Sequence, residues 1–152
     1  MTSHKGFTLI ELMITVAVLA VLVTLAAPSF SEIIASQRIR AAASSLYDTV
    51  LLARSEAIKR NTKITVQPNS SDFAKGWDVL LADNTTSIKS HEALNGVTVS
   101  FSPSVTKLEY SPLGRPSGKT TATLSGAGTK KQWTVIIEAS GRVCVVEGAG
   151  SC

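Results

Sequence analysis

Apolar residues are concentrated near the start of the chain. In residues 7–30 the only formally charged side chain is that of Glu11. As an α-helix this stretch would be about 36 Å long, and the hydrocarbon core of a bilayer is about 30 Å thick. The pattern therefore predicts a helix that crosses a membrane once.

A second helical pattern follows. Apolar residues recur at alternating steps of four and three, which places them on one face of an amphipathic helix. They are Ile39, Ala43, Leu46, Val50, Ala53 and Ala57. We expect the helix to end near Asn61, a residue suited to a C-cap. Between the two patterns lies Pro28, which removes one backbone hydrogen bond and predicts a kink.

Beyond Asn61 the composition changes to Thr, Ser, Gly, Asn and Lys, with short runs typical of strands. We predict strands at 64–67, 77–82, 97–101, 108–111, 120–124, 133–138 and 142–146. Short connections between them favour antiparallel pairing. The predicted fold class is α+β, with a long N-terminal helix whose second half packs on antiparallel β-sheets.

The apolar start of the chain has three interpretations. A secretory signal peptide needs an Ala-x-Ala-like cleavage site, and Leu25-Ala26-Ala27-Pro28 is a poor one because proline hinders cleavage. A plain membrane anchor gives no reason for Glu11, since a carboxylate in a membrane helix is costly unless it has a partner. The third interpretation supplies that partner.

The segment Lys5-Gly6-Phe7-Thr8-Leu9-Ile10-Glu11-Leu12 resembles the prepilin signature of type IV pilins and type II secretion pseudopilins. The resemblance implies that a prepilin peptidase cuts between Gly6 and Phe7 and that the new Phe7 terminus is N-methylated. It also implies that Glu11 pairs with the N-terminal amine of a neighbouring subunit during assembly.

The same resemblance implies a type IV pilin fold and four segments. These are a leader peptide at 1–6, a transmembrane and assembly helix at 7–30, an amphipathic half-helix at 31–61 and a β-rich globular domain at 62–152. The protein is expected in the bacterial inner membrane as a single-pass subunit with a periplasmic domain, and after assembly in a pilus or pseudopilus. The implied partners are the inner membrane, the peptidase and other pilin or pseudopilin subunits.

Later segments narrow the resemblance to the GspH/FimT/FimU branch of minor pilins and pseudopilins. They lie at 52–60, 110–116 and 137–143, whereas residues 68–107 match no motif. The branch implies a structural minor pilin that helps to initiate or cap a type IV pilus, in adhesion, motility or DNA uptake. A minor pseudopilin of type II secretion is the alternative, because the N-terminal signature occurs in both systems.

The chain offers no pattern for catalysis, so we expect no enzyme activity, no metal and no cofactor. Three residues separate Gly114 from Gly118, which precedes Lys119. The corresponding glycines of a phosphate-binding loop are separated by four residues. Removal of the leader would leave His91 as the one histidine, which we expect to be solvated.

Basic residues in or beside predicted turns leave a third function open. They are Arg115, Lys119, Lys130, Lys131 and Arg142, in a chain of net charge +4. On one shared face they could bind phosphates weakly. Some FimT-like proteins bind DNA in natural transformation through a Gly-Arg-x-Arg motif. Here Gly141-Arg142-Val143-Cys144 lacks the second arginine.

Two cysteines, Cys144 and Cys152, lie close to the C-terminus. In the cytosol they would be free thiols, whereas in a translocated domain they would form a disulfide that stabilises the fold by about 2–3 kcal/mol. Because the resemblance implies translocation, we predict the disulfide.

Overall fold

The structure is a computed structural model that describes residues 6–152, apart from the side chains of residues 25–29. In this part of the chain one long helix, α1 (Leu9–Arg60), precedes two short 3-10 helices and eight strands. The strands are β1 (Ile64–Pro68), β2 (Trp77–Leu80), β3 (Ser87–His91), β4 (Val97–Ser102), β5 (Leu108–Tyr110), β6 (Thr120–Gly126), β7 (Trp133–Ile137) and β8 (Val143–Glu147). The predicted kink at Pro28 concerns a residue whose side chain lies outside the described set, so it stays a prediction.

Local chemistry explains both ends of α1. The Thr8 side chain caps the first turn, and Asn61 closes the last one in the left-handed conformation (φ 50°, ψ 42°). A left-handed C-cap is tolerated by asparagine and lets the cap N–H bond carbonyls of the last turn. The predicted end of the helix is therefore confirmed, and the six residues of the predicted apolar stripe are fully buried.

Two four-stranded antiparallel sheets pack against the second half of α1. Their strand orders are β3-β2-β1-β5 and β4-β6-β7-β8, and strands of both sheets contact the helix. Phe73 connects the sheets, because its ring lies 4.7 Å from that of Phe101 and 6.2 Å from that of Trp77. The buried indole of Trp77 donates a hydrogen bond to Thr49 of the helix at 3.1 Å. The predicted α+β fold with antiparallel sheets is confirmed.

The register of the second sheet fixes which loops lie together. β7 pairs with β6 on one side, where Thr120 faces Ile137, and with β8 on the other, where Ile137 faces Val143. The connection at 127–132 and the turn at 138–142 therefore lie at opposite ends of β7. As a result, basic residues in these two loops lie at opposite ends of the sheet.

Sequence patterns missed one strand and one contact between aromatic rings. β3 has no alternating apolar residues, because it is an edge strand whose side chains are exposed or half-buried. The expectation that His91 is solvated holds only in part, because the residue is half-buried. Its ring stacks on that of Trp77, with centroids 4.2 Å apart and planes at 13°, because the two residues face each other across β2 and β3.

Candidate assembly and interaction sites

The first turn of α1 holds the carboxylate of Glu11 in a capping box. Glu11 Oε2 accepts hydrogen bonds from Thr8 N at 2.8 Å and Thr8 Oγ1 at 3.0 Å, and Glu11 N donates to Thr8 Oγ1 at 3.3 Å. Such reciprocal bonds satisfy backbone donors that the first turn leaves unpaired. They also place a negative charge beside Phe7 and leave Glu11 Oε1 outside the capping bonds.

The helix around Glu11 presents apolar side chains on all sides. Phe7 is 90% exposed, and the large apolar residues from Leu9 to Val23 are exposed as well. Within the described residues, no helical segment is both long and apolar enough to span a bilayer.

At its other end, α1 contacts two turns that share one hydrogen-bond pattern. In residues 111–115, Ser111 N donates to Arg115 O at 2.9 Å and Gly114 N to Ser111 O at 2.8 Å. In residues 138–142, Glu138 N donates to Arg142 O at 2.9 Å and Gly141 N to Glu138 O at 2.8 Å. We call them the first and second Gly-Arg turns.

Both turns need glycine before the arginine. Gly114 and Gly141 have φ of 71° and 85°, in the left-handed region that favours glycine. The turns also touch, since a Cβ added to Gly141 would lie 2.8 Å from the carbonyl oxygen of Gly114. Arg54 of α1 lies against both and donates a hydrogen bond to the carbonyl oxygen of Gly141.

The predicted basic residues divide into two groups. Arg115 and Arg142 lie on the two Gly-Arg turns, and Lys119 lies near them in an ion pair with Glu138 at 2.9 Å. Lys130 and Lys131 are in the connection at the opposite end of β7, where Lys131 pairs with Glu147 at 3.7 Å. The structure thus brings three of the five residues together and leaves two apart.

The cysteines occupy the edge strand β8 and the chain end. Cys144 and Cys152 are joined in a disulfide with their Cα atoms 6.0 Å apart. The bond holds residues 148–152 beside β8. Cys144 stands where the FimT-like motif has its second arginine, so this position holds a cross-link in place of a positive charge.

The pairing of the two Gly-Arg turns is the feature that sequence reasoning missed. Each turn was noted as a separate motif, although the repeated pattern x-x-x-Gly-Arg was a signal that they share a conformation. Their contact depends on the packing of β5 and β7 around α1, which no local pattern encodes.

Comparisons with known proteins agree with these features. Residues 42–141 match the family described as type II transport protein GspH, and residues 1–27 match the prokaryotic N-terminal methylation motif. No curated protein matches the chain.

Two solved structures illustrate the shared fold. The type IV minor pilin FimU of Pseudomonas aeruginosa is 21% identical, with a TM-score of 0.65 over 72% of this chain and 89% of that one. The minor pseudopilin EpsH of Vibrio cholerae is 18% identical, with a TM-score of 0.58 over 74% of this chain and 99% of that one. Because the GspH match spans most of the chain and the methylation motif covers its start, this chain belongs to the GspH family, whose members are non-enzymatic minor pilins or pseudopilins of type IV pili or type II secretion systems.

Proposed function

We propose that the protein is a minor pseudopilin of a type II secretion system. The observation that carries the proposal is the match of residues 42–141 to a family described by type II transport. This reverses the order of the sequence-based alternatives, in which the type IV pilus came first.

In this function the N-terminal segment would act twice. The exposed apolar residues of α1 would anchor the subunit in the inner membrane and then pack against neighbouring helices in the filament. A prepilin peptidase would cut between Gly6 and Phe7. Glu11, whose Oε1 is outside the capping bonds, would pair with the new N-terminal amine of an adjacent subunit. The globular domain would remain in the periplasm.

A type IV pilus is the second candidate, because the methylation motif is common to both filaments and FimU has the same fold. DNA binding has weaker support. A protein that follows a phosphate backbone needs several free cations, and Lys119 and Lys131 are already in ion pairs.

Gene deletion in the native host tests the proposal, with secretion, surface pili and transformation scored together. We expect loss of type II secretion with pili retained, and recovery when the wild-type gene is returned. Loss of pili with secretion intact would show instead that the protein functions in a type IV pilus. Loss of transformation alone, with pili and secretion both intact, would favour the DNA-binding alternative.

A further inference from the structure

The two Gly-Arg turns form a paired surface at the C-terminal end of α1. Gly114 and Gly141 are buried, whereas the arginines that follow them, Arg115 and Arg142, are exposed. The guanidinium of Arg54 donates a hydrogen bond to the backbone carbonyl of Gly141 in the second turn, and the Arg54 side chain contacts Gly114 in the first. The backbones of both turns are therefore fixed, while two guanidinium groups face solvent from neighbouring positions.

These two arginines differ from the basic residues around them. The neighbouring cations are paired within the chain: Lys59 and Arg60 with Glu56, Lys63 and Lys107 with Glu109, and Lys119 with Glu138. Among the described residues, the side chains of Arg115 and Arg142 have no ion-pair or hydrogen-bond partner. Among the described residues at this end, the exposed positive charge without an acidic partner is thus that of the two turns, and the guanidinium of Arg54 beside them donates to the carbonyl oxygen of Gly141.

Apolar side chains accompany the two charges. Leu113, in the first turn, is 78% exposed, and Ile58 of α1, which packs against Gly114, is 52% exposed. Covering this exposed leucine with an apolar side chain of a partner would remove apolar surface from water, which is favourable by about 25 cal/mol per Å². Arginine is enriched in protein–protein interfaces, where it forms bidentate bonds with carboxylates.

From this arrangement we infer that the paired Gly-Arg turns are a docking surface for an acidic segment of a protein partner. Carboxylates of that segment pair with Arg115 and Arg142, and an apolar side chain beside them packs on Leu113. A nucleic acid fits less well, because the turns carry only two free cations and no aromatic residue on which a base could stack. The surface lies at the far end of a helix of 52 residues from the N-terminus, and the inference holds for either type of filament.

Peptide binding to the full-length protein in non-ionic detergent micelles tests this inference. The probe is a fluorescein-labelled peptide with the sequence Gly-Glu-Leu-Glu-Glu-Leu-Gly, and fluorescence anisotropy at low salt gives its Kd. We expect the double variant Arg115→Ala/Arg142→Ala to weaken binding at least tenfold. Leu113→Ala should weaken it several-fold, because the charges remain but the apolar contact is lost.

A matched control variant removes two positive charges from a part of the surface away from the Gly-Arg turns. Lys89 and Lys130 are exposed and, within the described residues, unpaired, and they lie away from the two turns. The variant Lys89→Ala/Lys130→Ala should change the Kd less than twofold. If both double variants lose the same amount of peptide affinity, the effect depends only on net charge, and the inference is overturned.

Two further outcomes would also overturn it. One is the absence of peptide binding to the wild-type protein at about millimolar concentration, with the fold verified by circular dichroism. The other is tighter binding of a labelled 20-base-pair duplex with the same dependence on Arg115 and Arg142, which would assign the surface to nucleic acid.

Discussion

At the scale of single residues, close packing of Gly141 makes the second Gly-Arg turn sensitive to one added methyl group. We expect Gly141→Ala to destabilise the fold for two reasons: its φ of 85° is unfavourable for alanine, and the new Cβ would meet Gly114 O at 2.8 Å. The backbone conformation alone costs about 1–2 kcal/mol. The overlap with a backbone atom adds to that cost because neither turn can move independently.

Gly148→Ala is the matched control, because its φ is 76° but a Cβ there would have no neighbour within 4 Å. Urea unfolding should show a larger loss of stability for Gly141→Ala than for Gly148→Ala. Equal losses would mean that the contact between the two turns contributes nothing beyond backbone conformation.

Glu109 provides a second test at this scale. Its Oε1 accepts from Lys107 Nζ at 2.9 Å and Lys63 Nζ at 3.2 Å, and these bonds, that of Lys107 first, hold the pKa of the carboxyl below its ordinary value. A lowered folded-state pKa means that the group stabilises the fold above the unfolded pKa of about 4.3, and that this stabilisation is lost as pH falls through the folded value.

We therefore expect Lys107→Met to raise the pKa of Glu109, measured by NMR titration of its carboxyl carbon. The control Lys89→Met removes a lysine that is not near Glu109 and should leave that pKa unchanged. A pKa that is the same in all three proteins would contradict the assignment of Lys107 as the main cause.

At the scale of secondary-structure elements, the disulfide fixes the C-terminal tail to the edge strand β8. Cys144 and Cys152 close a loop with a sequence separation of 8. We expect Cys144→Ser/Cys152→Ser to lower the free energy of unfolding by about 2–3 kcal/mol, because the open tail gains conformational freedom in the unfolded state. Urea unfolding with and without reductant measures this.

Reductant should lower the stability of the wild-type protein and leave that of the double serine variant unchanged. Mass spectrometry gives an independent check, since the oxidised protein is lighter than the reduced one by two hydrogen atoms. Equal masses in the two conditions would contradict the disulfide.

At the scale of the whole molecule, Glu11 should matter for assembly and not for folding of the globular domain. The capping box places its carboxylate at the start of α1, remote from the sheets. We expect Glu11→Ala to be inserted and cleaved normally but to be lost from filaments, because the neighbouring amine then has no counter-charge. Sheared filaments analysed by immunoblotting would show this.

The variant Thr8→Val distinguishes the role of the negative charge of Glu11 from the role of its capping hydrogen bonds. It removes the hydroxyl that bonds Glu11 but keeps the carboxylate and the bond from Thr8 N. We expect this variant to assemble. If it fails as completely as Glu11→Ala, the capping box and not the intersubunit ion pair is the function of these residues.

Local sequence patterns account for much of this molecule. The spacing of Ile39 through Ala57 predicted the buried face of α1, and Asn61 predicted where the helix ends. These predictions succeeded because helix faces and caps depend on neighbours within about four residues. β3 was missed because an exposed edge strand needs no alternating apolar residues, so its pairing with β2 leaves no such signal.

By itself, the sequence determined the class of the protein: the Gly6-Phe7 junction, Glu11, the apolar first half of α1 and the amphipathic second half are all local patterns. The tertiary structure alone decided which distant residues meet. It stacked His91 on Trp77, divided the basic residues between the two ends of β7 and brought the two Gly-Arg turns into contact. The reason is physical: a period or a cap is fixed by adjacent residues, whereas the proximity of turns 27 positions apart depends on strand register and on packing around Arg54.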